Sequence, residues 1–208
     1  MKKLLHIIAT PREDESRTLK ISEAFLGSFA QKHSDWVVEE LNLAKENLPS
    51  MSLKRVSGKY ALLDGKGLYG ELKQNWKEIE AYIEQFLSAD GYLISAPMWN
   101  FTIPYMLKHY IDLIVQPKYL FRYTDKGSEG LVKGKKMVVI ASYGGAYTTA
   151  QTHSDNFHEP YLRKIFGFVG ITDMTFVVAQ PTDMGKELEQ KKVKEAIEMA
   201  QKLEVFGG

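Results

Sequence analysis

The chain contains no cysteine in its 208 residues. Disulfides, thiolate nucleophiles and cysteine-ligated metals are therefore excluded, and the composition fits a reducing compartment such as the cytoplasm. No apolar run approaches the roughly 20 residues needed to span a bilayer, so no membrane role is expected. The N-terminus starts like a secretion signal, but its apolar run ends at Ala9 and meets Pro11-Arg12-Glu13-Asp14-Glu15; the reading is a first strand. A dominant charge is missing too. The 27 basic and 26 acidic residues leave a formal charge of +1, which argues against a general nucleic-acid surface. Repeats and low-complexity segments are absent. So are the Rossmann and Walker glycine patterns, which weakens dinucleotide and nucleoside-triphosphate readings. This length predicts one domain, residues 1–208, with a full core.

What is present centres on Asp90 to Val115. Tyr92-Leu93-Ile94-Ser95-Ala96 is a short apolar run between Asp-Gly and Pro97, the pattern of a buried parallel strand. Met98-Trp99-Asn100-Phe101 follows, too bulky for a plain turn. Pro104 suits the first turn of a helix, and Thr102 is placed to cap it. Met106, Leu107, Tyr110, Ile111, Leu113 and Ile114 then recur at helical spacing. A strand ends, an aromatic loop sits at its carboxyl end and a helix leaves; in open α/β sheets ligands bind there. Trp99 or Phe101 alone would read as core. Beside Asn100, with proline on both flanks, they read as a wall for a flat ring.

Other segments repeat the alternation. Leu4–Ala9 reads as a strand, and Ser16 as the cap of a helix with Leu19, Ile21, Ala24, Phe25, Leu26 and Phe29 on its apolar face. Residues 36–43 read as a second strand. Residues 44–70, broken by Pro49 and several glycines, read as a long loop with a helical turn near Lys59–Leu63. A helix over 72–87, a strand-like Tyr119–Thr124, a strand over 136–142, a helix over 159–168, a strand over 172–179 and a charged helix over 185–205 complete the chain. The pattern predicts a doubly wound α/β fold: a five-stranded parallel sheet, flavodoxin-like order 2-1-3-4-5, helices on both faces.

In that order the loops after strands one, three and four, Thr10–Thr18, Pro97–Phe101 and Ser142–Ala146, converge on one pocket. The first enters a helix N-terminus with the Ser16 and Thr18 hydroxyls, a setting for phosphate. The third carries Gly144 and Gly145, which let a backbone approach a ligand closely. Phosphate at one end and a flat ring at the other describe a mononucleotide, FMN above all. Glu13, Asp14 and Glu15 oppose a phosphate unless they face solvent; Arg12 and Arg17 can offset them.

Taken together, Ala96-Pro97-Met98-Trp99-Asn100-Phe101 with Ile103-Pro104, Leu107-Lys108-Tyr110-Ile111-Asp112, Phe121-Arg122-Tyr123-Thr124, Ser142-Tyr143-Gly144-Gly145, and Tyr161-Leu162 with Phe166-Gly167-Phe168-Val169-Gly170-Ile171 resemble the FMN-dependent NADH:quinone oxidoreductases and azoreductases of the flavodoxin-like superfamily. The likeness runs over nearly the whole chain. It implies non-covalent FMN, a homodimer with FMN at the interface, and ping-pong hydride transfer from NADH or NADPH to a quinone, azo or nitroaromatic acceptor. It places flavin contacts on Thr10, Ser16, Arg17, Thr18, Pro97, Met98, Trp99, Asn100, Phe101, Ser142, Tyr143, Gly144 and Gly145. Two positions depart from the family pattern: tyrosine is usual at Trp99, and arginine is frequent at Tyr143. Because the flavin carries the chemistry, no catalytic acid or base is expected from the protein. Phe121, Tyr123 and Tyr147 are candidates for a substrate-side wall, with dimer or core packing as the competing role.

Two rivals stand beside this reading. His153-Ser154-Asp155-Asn156-Phe157-His158-Glu159 could suggest a metal-dependent phosphodiesterase, but its spacing is not HExxH and Asp155 and Asn156 are natural helix caps, so no metal is expected. A flavodoxin-like electron carrier is the other; carriers of that kind are usually strongly acidic.

Overall fold

The computed structural model describes residues 1–206. These form seven strands: β1 (Lys2–Ile8), β2 (Trp36–Asn42), β3 (Gly91–Ser95), β4 (Phe121–Thr124), β5 (Gly127–Gly130), β6 (Lys136–Ser142) and β7 (Asp173–Ala179). The α-helices are α1 (Arg17–Lys32), α2 (Leu53–Leu63), α3 (Gly70–Ser88), α4 (Tyr105–Ile114), α5 (Ala150–His153), α6 (His158–Val169) and α7 (Lys186–Gln201). Five strands pair in parallel in the order β2-β1-β3-β6-β7. With the β4–β5 hairpin left out of the numbering, this is the expected 2-1-3-4-5. The strand-like Tyr119–Thr124 is a strand from Phe121, β4, which pairs antiparallel with β5 in a hairpin outside the five-stranded sheet.

Alternate strand residues enter two separate cores. Leu5, Ile7, Tyr92, Ile94 and Val139 pack with Trp76, Ile79, Ile83 and Phe86 of α3 and with α4 and α6. Leu4, Leu93, Val138, Ile140 and Val177 pack with Ile21, Phe25 and Phe29 of α1 and with α7. Burial of each such side chain contributes about 1.5–3 kcal/mol against the entropy of ordering the chain.

Two local expectations need correction. The long loop over 44–70 contains the 11-residue helix α2. Tertiary packing overrides its poor pattern: Gly58 lies against the Trp76 indole, whose Nε1 donates to the Arg55 carbonyl at 2.8 Å. The Arg55 guanidinium also ties this helix to Ser50, Asn75 and Glu78. Thr102 does not cap α4; Pro104 is the cap residue, without a side-chain bond. Thr102 closes a tight turn with Trp99 instead.

Candidate functional site

Strands β1, β3 and β6 run level at one edge: Ile8 pairs with Ser95, and Ser95 with Ile140. Loops leaving that edge enclose a cavity of about 160 Å³. The first loop supplies Thr10, Arg12, Ser16 and Arg17, the second Pro97, Met98 and Trp99, and the third Ser142 and Gly144. A fourth loop, after β7, adds Thr182 and Asp183. These two residues escaped the sequence reading. The signal was available, because the fifth strand neighbours the fourth and its loop must leave from the same edge.

At the start of α1, Ser16 Oγ accepts from Leu19 N–H and from the Thr10 hydroxyl, both at 3.3 Å. The backbone N–H groups of Arg17 and Thr18 have no partner among the described residues. They stand at the positive end of the helix dipole, ready for an anion. Glu13, Asp14 and Glu15 form an exposed 3-10 turn facing solvent, where Glu13 pairs with Lys45 and Glu15 with Arg12. Arg17 is not idle. Its guanidinium bridges Asp183 at 2.5 Å and Glu189 at 2.6 Å, and also reaches Thr182. Thr18 corrects an expectation, because its hydroxyl lies beneath the cavity, fully buried and bonded to Ser142 Oγ at 2.9 Å.

The second loop is held by β6: Met98 N–H donates to the Ser142 carbonyl at 3.0 Å. Trp99 and Thr102 exchange backbone bonds at 2.9 and 3.0 Å. Between them Asn100 and Phe101 both take positive φ, 47° and 69°. Asparagine tolerates this region; phenylalanine does not do so readily, so the turn holds strain of about 1–2 kcal/mol. That strain presents Phe101 to solvent, half exposed, with its ring edge-on to Tyr147 at 6.5 Å. Trp99 also lines two wider hollows. One is bounded by Pro11, Leu48, Tyr105 and His109. The other is a mostly apolar groove along Ile103, Tyr105 and Tyr161.

Comparison with known proteins identifies the family. A family model described as the flavodoxin-like fold matches residues 2–203. An FMN-dependent NADH:quinone oxidoreductase of Nitratidesulfovibrio vulgaris strain DP4 is 34% identical over 98% of both chains. One of Coprothermobacter proteolyticus is 36% identical, again over 98% of each. The chain belongs to this flavodoxin-like family. Among solved structures, an azoreductase from Bacillus anthracis strain Sterne superposes with a TM-score of 0.85 at 31% identity, covering 98% of this chain and 100% of that one. An FMN-dependent NADH-azoreductase from B. anthracis strain Ames Ancestor, in complex with FMN, gives 0.83 at 33%, covering 96% and 98%.

In this flavodoxin-like chain the remaining expected site residues divide. Asn100, Phe101, Gly145 and Tyr147 stand outside the small cavity, while Asn100 joins the apolar groove. Tyr143 does not face the cavity. Its side chain turns into the core, its O–H meets His158, and its backbone is tied to Ala179 and Thr182. Burial raises the pKa of its phenol well above the ordinary value. Phe121 and Tyr123 are far from this chain's own cavity. Phe121 packs on Phe168, and Gly130 of the same hairpin lies on Val169 and Gly170. That is the far end of α6, whose 12 residues start beside Ala96 and run about 18 Å away from the site. His158 is buried there as a structural residue, and no cluster of His, Asp and Glu suited to a metal occurs among the described residues.

Proposed function

We propose that the chain is an FMN-dependent oxidoreductase that takes electrons from NADH or NADPH and reduces quinones, azo compounds or nitroaromatics. The observation that carries this is the convergence of four strand-end loops on one cavity that suits a phosphate group. It offers the Thr10 and Ser16 hydroxyls and the free N–H groups of Arg17 and Thr18. A Cβ at Gly144 would run into the Asp183 carboxylate, so the third and fourth loops approach each other closely here. A cavity of about 160 Å³ takes the phosphate end of FMN but not its ring. In this reading Met98 to Phe101 provide the flat wall for the ring. The backbone N–H groups of Asn100, Gly144 and Gly145 are unpaired among the described residues and would donate to negative charge at its edge. FMN, when bound, supplies hydride acceptance and onward electron transfer in a ping-pong exchange. The protein's part is to hold donor and acceptor in turn against the ring and keep water out.

The reading includes one domain over residues 1–208, a doubly wound sheet with helices on both faces, and a cytoplasmic homodimer with FMN at the interface. The two separate cores support the layered arrangement. The exposed Phe101 and Tyr105, beside the apolar groove, support a partner surface there. The exposed Tyr123 can then meet only a pocket of the second copy, while Phe121 stays packed beneath it on Phe168. No helix among the described residues is long and apolar enough to cross a membrane.

The test is a visible spectrum after FMN is added and excess removed, followed by NADH or NADPH without oxygen and then a quinone. Retained flavin bands that bleach within the mixing time and return with quinone support the enzyme. Bands that persist without bleaching with either donor would favour an electron carrier, and loss of the flavin would refute the site.

A further inference from the structure

The loop from Ala96 to Phe101 is fastened by the sheet on one side and by the start of α6 on the other. There Phe157 N–H donates to the Phe101 carbonyl at 2.9 Å, and His158 holds the opposite end of the loop. Ala96 N–H donates to the Ile140 carbonyl and Met98 N–H to the Ser142 carbonyl, both at 3.0 Å. Pro97 between them has no N–H to give. The Ala96 carbonyl is met from outside the sheet, by His158 Nε2 at 3.0 Å. A carbonyl can only accept, so Nε2 carries the proton and Nδ1 is bare. Tyr143 O–H, 3.1 Å away, donates to that bare Nδ1. The tyrosine therefore fixes the tautomer that the loop requires, as an outer partner fixes a ligating histidine.

Both side chains are buried, and their rings meet edge to face at 5.2 Å. Each is anchored in turn. Asn156 Oδ1 accepts from His158 N–H at 3.0 Å. The Tyr143 carbonyl accepts from Thr182 N–H at 3.0 Å and from its hydroxyl at 2.9 Å. Burial holds the imidazole neutral, with its pKa lowered to about 4. The pair thus joins the ends of β3, β6 and β7 to the first turn of α6. It lies one residue from Pro97 on one side and from Gly144 on the other, yet lines the cavity itself nowhere.

We propose that Tyr143 and His158 are positioning residues that set the conformation of the 96–101 loop and so the affinity for the flavin ring. This rests on the FMN reading above. Any effect must act through the loop that faces the ring. FMN and riboflavin, which share that ring, should then respond alike.

The test compares His158→Leu, His158→Gln and Tyr143→Phe with the parent, using fluorescence titration with FMN and with riboflavin, and thermal unfolding without flavin. Glutamine places an N–H donor where Nε2 stands. The expected result is a loss of about five- to tenfold in affinity for both flavins in His158→Leu, from one lost buried bond and one unsatisfied carbonyl. His158→Gln should stay within about threefold of the parent, and Tyr143→Phe should lose about threefold. Leucine and glutamine variants that weaken equally, or a leucine variant that loses FMN but not riboflavin, overturn the inference. If His158→Leu does not fold, Tyr143→Phe decides: parental affinity for both flavins overturns it. A parent that binds neither flavin removes the FMN reading and this inference together, whereas a parent that binds while its variants are unchanged removes this inference alone.

Discussion

The Ser16 side chain caps α1, accepting from Leu19 N–H, and the same residue lines the cavity. Ser16→Ala should lower stability without flavin by about 1 kcal/mol, the usual worth of such a cap, in urea unfolding. If the phosphate of FMN binds at this turn, as proposed, Ser16→Ala should also weaken FMN more than riboflavin, which has no phosphate. Equal weakening of both would show that Ser16 is a cap and nothing more. Phe101 behaves oppositely. Its left-handed backbone costs energy, and its ring is half exposed. Phe101→Gly should therefore leave unfolding free energy within about 1 kcal/mol of the parent, since relieved strain offsets the entropy glycine adds to the unfolded chain. A loss of about 3 kcal/mol, as for a packed phenyl, would contradict the exposed placement. Sequence could reveal that these residues lie in loops leaving one edge of the sheet. It could not reveal that Thr18 and Tyr143 turn away, because a side chain's direction at a loop depends on partners such as Ser142 and His158 that lie far along the chain.

Among the elements, α2 shows where sequence pattern gives out. Strands β1, β3 and β6 were legible because burial on both faces makes them nearly continuous apolar runs, and the strand order followed from their alternation with helices. Residues 44–70 carry no such signal, since glycine in mid-helix counts against a helix. The reason for Gly58 is outside the segment: the Trp76 indole occupies the space a side chain would need. Propensity and packing therefore give opposite signs for Gly58→Ala. Propensity alone gains about 1 kcal/mol; forcing a methyl against a fully buried indole costs about 1–3 kcal/mol or more. Packing should win, because Trp76 is completely buried and bonded to the Arg55 carbonyl. The expected outcome is a net loss of about 1–2 kcal/mol in urea unfolding, and a gain would mean that α2 shifts freely on α3. The β4 half of the hairpin was legible as an aromatic strand-like run, but its partner β5, Gly127-Ser128-Glu129-Gly130, carries no apolar alternation and gave no strand signal.

For the molecule as a whole, pH should matter most through two buried imidazoles. Burial lowers the pKa of both His6 and His158 from 6.5 to about 4. His6 Nε2 bonds Ser95 Oγ at 2.7 Å, while its Nδ1 lies buried without a partner among the described residues. Between pH 6.5 and 4 the unfolded chain takes up protons at these two positions and the folded chain does not. The unfolded state thus binds more protons, so stability falls as pH is lowered through that window and levels off below it. From pH 7 to pH 5 each imidazole should remove about 2 kcal/mol. The partnered carboxylate Glu39, lowered mainly by its bond to Lys3, loses its contribution only at lower pH, so the upper part of the window belongs to the histidines. Urea midpoints measured without flavin at pH 7 and pH 5 should differ accordingly, and His158→Gln should remove about half of the difference. A midpoint that is the same at both pH values would mean that the folded core admits these protons, and a full difference in His158→Gln would assign the whole effect to groups other than His158.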